Sequence, residues 1–269
     1  MTEDFKRQLV SKHSSCVTCP SNESIKIFFD DIMALLFPNF SDHRLSSLEL
    51  IEARVNSIYE RLVDMMAHHP ALCGTTPQKI ADGFVAALQD IEGQLQLDVE
   101  AIYQGDPAAK SKEEIVRSYP GFYAIAAYRV AHLLSNLEVQ IMPRVITELA
   151  QHRTGIDIHP GALIDHSFCI DHGTGVVIGE TTIIGHNVKL YQGVTLGGLS
   201  IAKKDADKKR HPTIEPHTVV YANATILGGD TIIGHHSIIG GNSWITKSIA
   251  PHSTVYYISG DNQVQKTKN

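Results

Sequence analysis

The chain has 269 residues, 43% of them hydrophobic and 19% charged, enough to bury one large core or two modest ones. Its formal net charge of -6 and pI near 6.2 give no general attraction for nucleic acid or an anionic membrane, so neither is an expected partner. The four cysteines, Cys16, Cys19, Cys73 and Cys169, are too few and too unevenly spread for a disulfide scaffold, which fits a reduced cytoplasm.

The first stretch, "MTEDFKRQLVSKHSSC", carries early acidic residues and no apolar segment, so residues 1–20 read as a flexible N-terminus and not as a secretory signal. No apolar run approaches the roughly 18 residues a membrane span needs. Cys16 and Cys19 form a CxxC, but no second pair follows to complete a four-ligand zinc site. From Asn22 to Ala150 the apolar residues follow a helical period. Leu48, Ile51, Val55, Ile58, Leu62 and Met65 recur three or four apart, which sets them on one stripe. Similar patterns in "IKIFFDDIMALLF", "IADGFVAALQDIEGQLQLDVEAIY" and "FYAIAAYRVAHLLSNLEVQIMPRVITELA" predict four or so packed helices, an α-helical domain over 21–153. Pro77, Pro107 and Pro120 stand where helices would start or stop.

Beyond Gly155 the period becomes six. Aliphatic anchors stand at Ile158, Ile164, Ile170, Ile178, Ile184, Leu190, Leu196, Ile214, Val220, Ile226, Ile233, Ile239 and Ile245, and a small or β-branched residue follows many of them after four positions, Thr174 among these. Six residues make one short strand and a corner, and three such units make one turn of a triangular parallel β-helix whose anchors stack inward. A β-sandwich would instead alternate every two residues between hairpin turns. The coil is predicted over 154–257, with a tail at 258–269. Its repeat breaks twice at ionisable residues. The step from Ile170 to Ile178 is eight, across "DHGTG", and the charged run "GGLSIAKKDADKKRHPT" predicts an extruded loop over 198–212. The step of seven from Ile226 to Ile233 holds Asp230 alone.

Together "GIDIHPGA", "IDHGTGVVIGETTIIG", "YQGVTLGG", "KKRHPTI" and "NATILGG", preceded by "GDPAA" and "YPGFYAIAAYRVAHLL", resemble the serine O-acetyltransferases, a branch of the hexapeptide-repeat acyltransferases, over about residues 99–257. The resemblance implies an α+β fold, an N-terminal α-helical domain followed by a left-handed parallel β-helix of hexapeptide repeats. It supplies the hand, since right-handed crossovers are the general rule. It also implies a homotrimer or a dimer of trimers, with active sites between subunits, and transfer of acetyl from acetyl-CoA to the L-serine hydroxyl as the first step of cysteine synthesis. His172 is then the general base, because a serine hydroxyl is a poor nucleophile until an imidazole takes its proton. Asp157 would orient that imidazole. Asp106 and Asp171 would meet the substrate ammonium, Arg210 its carboxylate, and His211 is the second histidine of the serine site. Asp106 precedes Pro107, so a helix-start cap is its alternative role. The Gly198 amide would hold the oxyanion, with Gly198, Ala222 and the basic residues of 203–210 beside CoA. His235 and His236 read as bystanders at an exposed corner. No metal is expected, L-cysteine is an expected inhibitor at the serine site, and docking into cysteine synthase is not expected, because docking members end in isoleucine and this chain in Asn269.

Three alternatives remain from sequence: the same fold acting on homoserine or a sugar, a zinc-dependent protein of γ-carbonic-anhydrase type using His159, His166, His172, His186, His211 and His217, and a non-catalytic scaffold.

Overall fold

The computed structural model describes residues 1–16, 18–199, 208–258 and 261–266. Helix α1 (Glu3–Ser15), capped by the Thr2 side chain, lies in the stretch read as a flexible N-terminus and buries none of its residues. Seven α-helices follow: α2 (Asn22–Leu36), α3 (Leu48–His68), α4 (Pro77–Ala86), α5 (Leu88–Gly105), α6 (Lys112–Ser118), α7 (Pro120–Asn136) and α8 (Met142–Thr154). Four or so were expected because an apolar stripe can run in phase across a break. Ala87 divides one long pattern into α4 and α5, and Glu138 and Ile141, both at positive φ, turn the chain between α7 and α8. Pro77 and Pro120 are the first residues of their helices, where a missing N–H costs nothing. In α3 the predicted stripe is buried at Ile58, Leu62 and Met65, half-buried at Ile51 and Val55, and exposed at Leu48, so it runs off the core toward its N-terminal end.

Helix α7 is buried on nearly all sides and joins the two halves of the molecule. The Tyr128 hydroxyl donates to the Ala162 carbonyl at 2.6 Å and accepts from the Ile164 amide at 3.1 Å. Arg129 on α7 pairs with Asp98 on α5 through two hydrogen bonds of 2.5 and 2.8 Å, with both side chains buried. Asp98 also accepts the Phe168 amide at 2.8 Å, and Arg129 reaches the Asp165 carbonyl at 3.1 Å. Charges this deeply buried persist only when each finds such partners.

The coil has three parallel sheets. The first contains β1 (Asp157–Ile158), β4 (Val177–Ile178), β7 (Thr195–Gly197), β10 (Thr225–Leu227) and β13 (Trp244–Ile245). A second holds β2 (Leu163–Ile164), β5 (Ile183–Ile184), β8 (Thr213–Ile214) and β11 (Ile232–Ile233). The third holds β3 (Cys169–Ile170), β6 (Lys189–Leu190), β9 (Val219–Val220), β12 (Ile238–Ile239), β14 (Ser253–Ile258) and the antiparallel β15 (Asp261–Lys266). Each strand pairs with the one three units on, anchor against anchor, as in Ile158 with Ile178 and Ile164 with Ile184. Every predicted anchor is buried.

The break at 170–178 is accommodated by three residues at positive φ, His172 at 57°, Gly173 at 85° and Gly175 at 81°. A Cβ at Gly173 would collide with the Ile156 side chain. With two extra residues in this step, Val176 is buried and Thr174, four after the anchor, is exposed. The segment read as a tail from residue 258 includes β15, which extends the third sheet. Most of the predicted 198–212 loop, residues 200–207, lies outside the described residues.

Candidate active site

The predicted site residues fall into two groups at two corners of the coil. At the corner joining the third sheet to the first, His172 projects with its side chain 71% exposed, and its Nδ1 lies 3.6 Å from Asp171 Oδ1. Asp171 is buried, and its Oδ2 meets Lys189 Nζ at 2.9 Å. Lys189 also donates to the Gly105 carbonyl at 2.6 Å, which ties the end of α5 to β6. Burial opposes the Lys189 charge, yet hydrogen bonds to Tyr191 and Asp171 outweigh it and raise the pKa. Asp106, the residue closing α5, accepts the Tyr119 hydroxyl at 2.7 Å and the Ala108 amide at 2.8 Å. Those two bonds hold its carboxyl below the ordinary range, and the same contact with Asp106 pushes Tyr119 up to about 12. Its Ala108 bond closes a turn after α5, so it starts no helix. Asp106 also feels the charges of Lys189 and His172, which places two carboxylates, one ammonium and an exposed imidazole in one cluster.

The corner joining the first sheet to the second carries the other group. His211 is buried, and its Nδ1 accepts the Thr181 amide at 3.0 Å. An amide can only donate, so the neutral ring carries its proton on Nε2. Burial, reinforced by the Arg210 guanidinium, pushes the His211 pKa down to about 4. Thr181 Oγ1 in turn accepts the Arg210 and His211 amides at 2.9 and 3.1 Å. Arg210 is paired with Glu180. Gly179 lies against the His211 ring, where any Cβ would collide with it. Asp157 belongs to this side: its carboxylate meets Arg144 at 3.3 Å, and the charges of Arg144, Asp157, Glu180 and Arg210 all act on His159.

The structure therefore brings Asp106, Asp171 and His172 together and brings Asp157, Arg210 and His211 together, but within one chain it does not join the two groups. Gly198 lies beside Arg210, its Cβ position 3.2 Å from the Arg210 carbonyl oxygen. Ala222 sits on the His172 corner two turns further on, where Tyr191 and Tyr221 stack at 4.9 Å. Of the basic residues placed beside CoA, Lys203 and Lys204 lie outside the described residues, and Lys209 donates to the Thr181 and His211 carbonyls. The histidines weighed as a zinc set divide among three corners, with His159 and His211 at one, His172 at the second, and His166, His186 and His217 at the third. Lys189, Tyr119, Thr181, Glu180 and Gly179 were not singled out from sequence. The run "GETT", Gly179 to Thr182, inside a quoted motif was the available signal for three of them.

No family model matches the chain. A plasmid-encoded serine acetyltransferase of Synechococcus elongatus is 38% identical over 260 residues, which cover 88% of this chain and 81% of that relative. The chain belongs to the serine acetyltransferase family. A serine acetyltransferase of Helicobacter pylori is 48% identical over 130 residues, covering 48% of this chain and 74% of the relative. Among solved structures, serine acetyltransferase 1 of Entamoeba histolytica in complex with L-cysteine has a TM-score of 0.77 at 35% identity, covering 85% of this chain and 86% of that one. The serine acetyltransferase of Neisseria gonorrhoeae in complex with serine has a TM-score of 0.61 at 26% identity, covering 90% and 96%. With these likenesses, the chain's helical region followed by parallel strands in three sheets is the N-terminal α-helical domain and left-handed β-helix that the motifs implied. No described helix is long and apolar enough to cross a membrane.

Proposed function

We propose that the chain transfers acetyl from acetyl-CoA to the hydroxyl of L-serine, giving O-acetyl-L-serine and CoA. The observation that carries this reading is the cluster of Asp106, Asp171 and His172, two carboxylates that suit an ammonium beside an exposed imidazole that suits a hydroxyl. His172 takes the hydroxyl proton as the serine oxygen attacks the thioester carbonyl. The Gly198 N–H holds the resulting oxyanion, and collapse of the intermediate breaks the C–S bond, with the proton passing from His172 to the departing thiolate. Arg210 exchanges Glu180 for the substrate carboxylate, and the His211 Nε2–H donates a hydrogen bond without carrying charge. CoA lies along the His172 corner past Ala222.

Because the two groups occupy different corners of one coil, a complete site forms where the His172 corner of one subunit meets the His211 corner of the next. A homotrimer supplies that contact three times, and Asp157 then reaches the His172 imidazole across the interface. L-cysteine, with the same ammonium and carboxylate, competes for the serine position. The test measures CoA release with L-serine, homoserine and sugars, then repeats the serine assay on an unfolded and refolded mixture of His172→Ala and His211→Ala chains. Serine-dependent release, and activity in the mixture that neither variant shows alone, are expected. No serine-dependent release overturns the reaction, and a mixture as inactive as its parts overturns the shared site.

A further inference from the structure

Six histidines run down the corner joining the second and third sheets, opposite the sheet that both halves of the active site flank. His166 stacks on His186 with ring centroids 5.4 Å apart, His186 meets His217 edge-on at 5.1 Å, and His217, His236 and His252 stack at 4.6 and 5.1 Å, with His235 edge-on to the last two. The repeat accounts for their alignment. The corner needs a left-handed residue in each turn, which Ser167, Asn187, His217, His236 and His252 supply, and histidine tolerates that conformation better than most. It does not account for His166 and His186, which precede those positions and have ordinary backbone.

We propose that Asp165, His166 and His186 form a binding site for a divalent transition metal of the zinc type, joining the first two turns of the coil. One ligand atom from each of the three lies within 4.8 Å of the other two. His166 Nε2 stands 3.9 Å from Asp165 Oδ1, and His186 Nδ1 stands 3.7 Å from Asp165 Oδ2. Ligand atoms on a tetrahedral zinc with bonds of about 2.1 Å sit roughly 3.4 Å apart, so the two contacts to Asp165 close by a few tenths of an ångström, while the two imidazoles, stacked at 18°, turn toward each other to share one ion. The outer contacts favour it. Ser167 Oγ lies 3.0 Å from His166 Nδ1, within reach to accept an N–H there in the tautomer that leaves the Nε2 lone pair for a metal. The His166 amide holds Asp165 Oδ1 at 2.7 Å. The backbone beneath is fixed from the helical half, by Arg129 on the Asp165 carbonyl and Asp98 on the Phe168 amide. Two imidazoles and one carboxylate select zinc, nickel or copper over magnesium or calcium, and water completes the coordination.

Calorimetric titration of the chelator-dialysed, full-length protein with Zn2+ tests the site. One ion per chain is expected, and His186→Ala or Asp165→Asn should each weaken binding at least about tenfold. His236→Ala, lower in the same column, should leave it within twofold, as should the double variant His172→Ala/His211→Ala. Far-ultraviolet circular dichroism verifies that each variant is folded, and the visible spectrum of bound Co2+ should change in His166→Gln. Absence of stoichiometric binding overturns the proposal, as does binding indifferent to His186 and Asp165, or binding lost with His236.

Discussion

His172 and His211 stand at two corners of the same coil in opposite environments. His172 is exposed, its in-chain partner is the carboxylate of the preceding residue, and no described amide fixes its tautomer. His211 is buried, fixed by the Thr181 amide and held neutral, with its pKa lowered to about 4. One imidazole is open to solvent and to a ligand, and the other is built to keep one N–H in place. The difference supports the proposed roles of base and donor, which residue identity alone does not separate.

The largest effect expected from breaking this contrast is at the exposed ring. His172→Ala should lower kcat at least about a hundredfold while leaving L-cysteine binding within a few-fold, read from steady-state kinetics and calorimetry. Unchanged turnover would remove the base from the scheme. Displacing the buried ring without changing it comes next. Gly179→Ala places a methyl in the His211 ring, and a shift of about 1 Å at a positioned group costs up to about a hundredfold, so kcat/KM for serine should fall roughly ten- to a hundredfold. The same loss in His211→Ala, with no further loss in the double variant, would sharpen the assignment.

The smallest effect is on stability. The His211 pKa is lowered on folding, so below pH 6.5 the unfolded chain binds a proton that the folded one refuses. Stability from this group is therefore complete above about pH 6.5 and is lost as the pH falls toward 4. Urea unfolding from pH 8 to 4 should show a shallower decline in His211→Gln than in the parent chain, and equal slopes would show that the ring is not held neutral.

Much of this was legible in the sequence because a six-residue repeat has few ways to bury its aliphatics. Every anchor from Ile158 to Ile245 points inward, and the eight-residue step marked where the backbone is re-aimed, at His172 to Gly175. Where the repeat is broken it gives no guide: two inserted residues leave Thr174 exposed and Val176 buried, which only the closed coil reveals. Lys189 was missed because outward strand positions carry no constraint from the repeat, so its placement between Asp171 and Gly105 depends on how α5 docks. Thr181 and Glu180 were missed because their partners lie about 30 residues on, beyond the loop. In the helical half the stripe gave helices but not their breaks, and Arg129 and Asp98 met only in the fold.

That buried pair bears on how the coil fails. In a stack of repeats each turn is held by its neighbours, and an end turn has only one. The first turn escapes this weakness because Tyr128, Arg129 and Asp98 replace the missing neighbour through its backbone at Ala162, Ile164, Asp165 and Phe168. Unzipping from that end would take Asp157 and then the turn at His172 before any lower rung. The clasp on the first turn thus guards the proposed site, and damage deep in α5 or α7 would disorder Asp157 and His172 while most of the coil still stood.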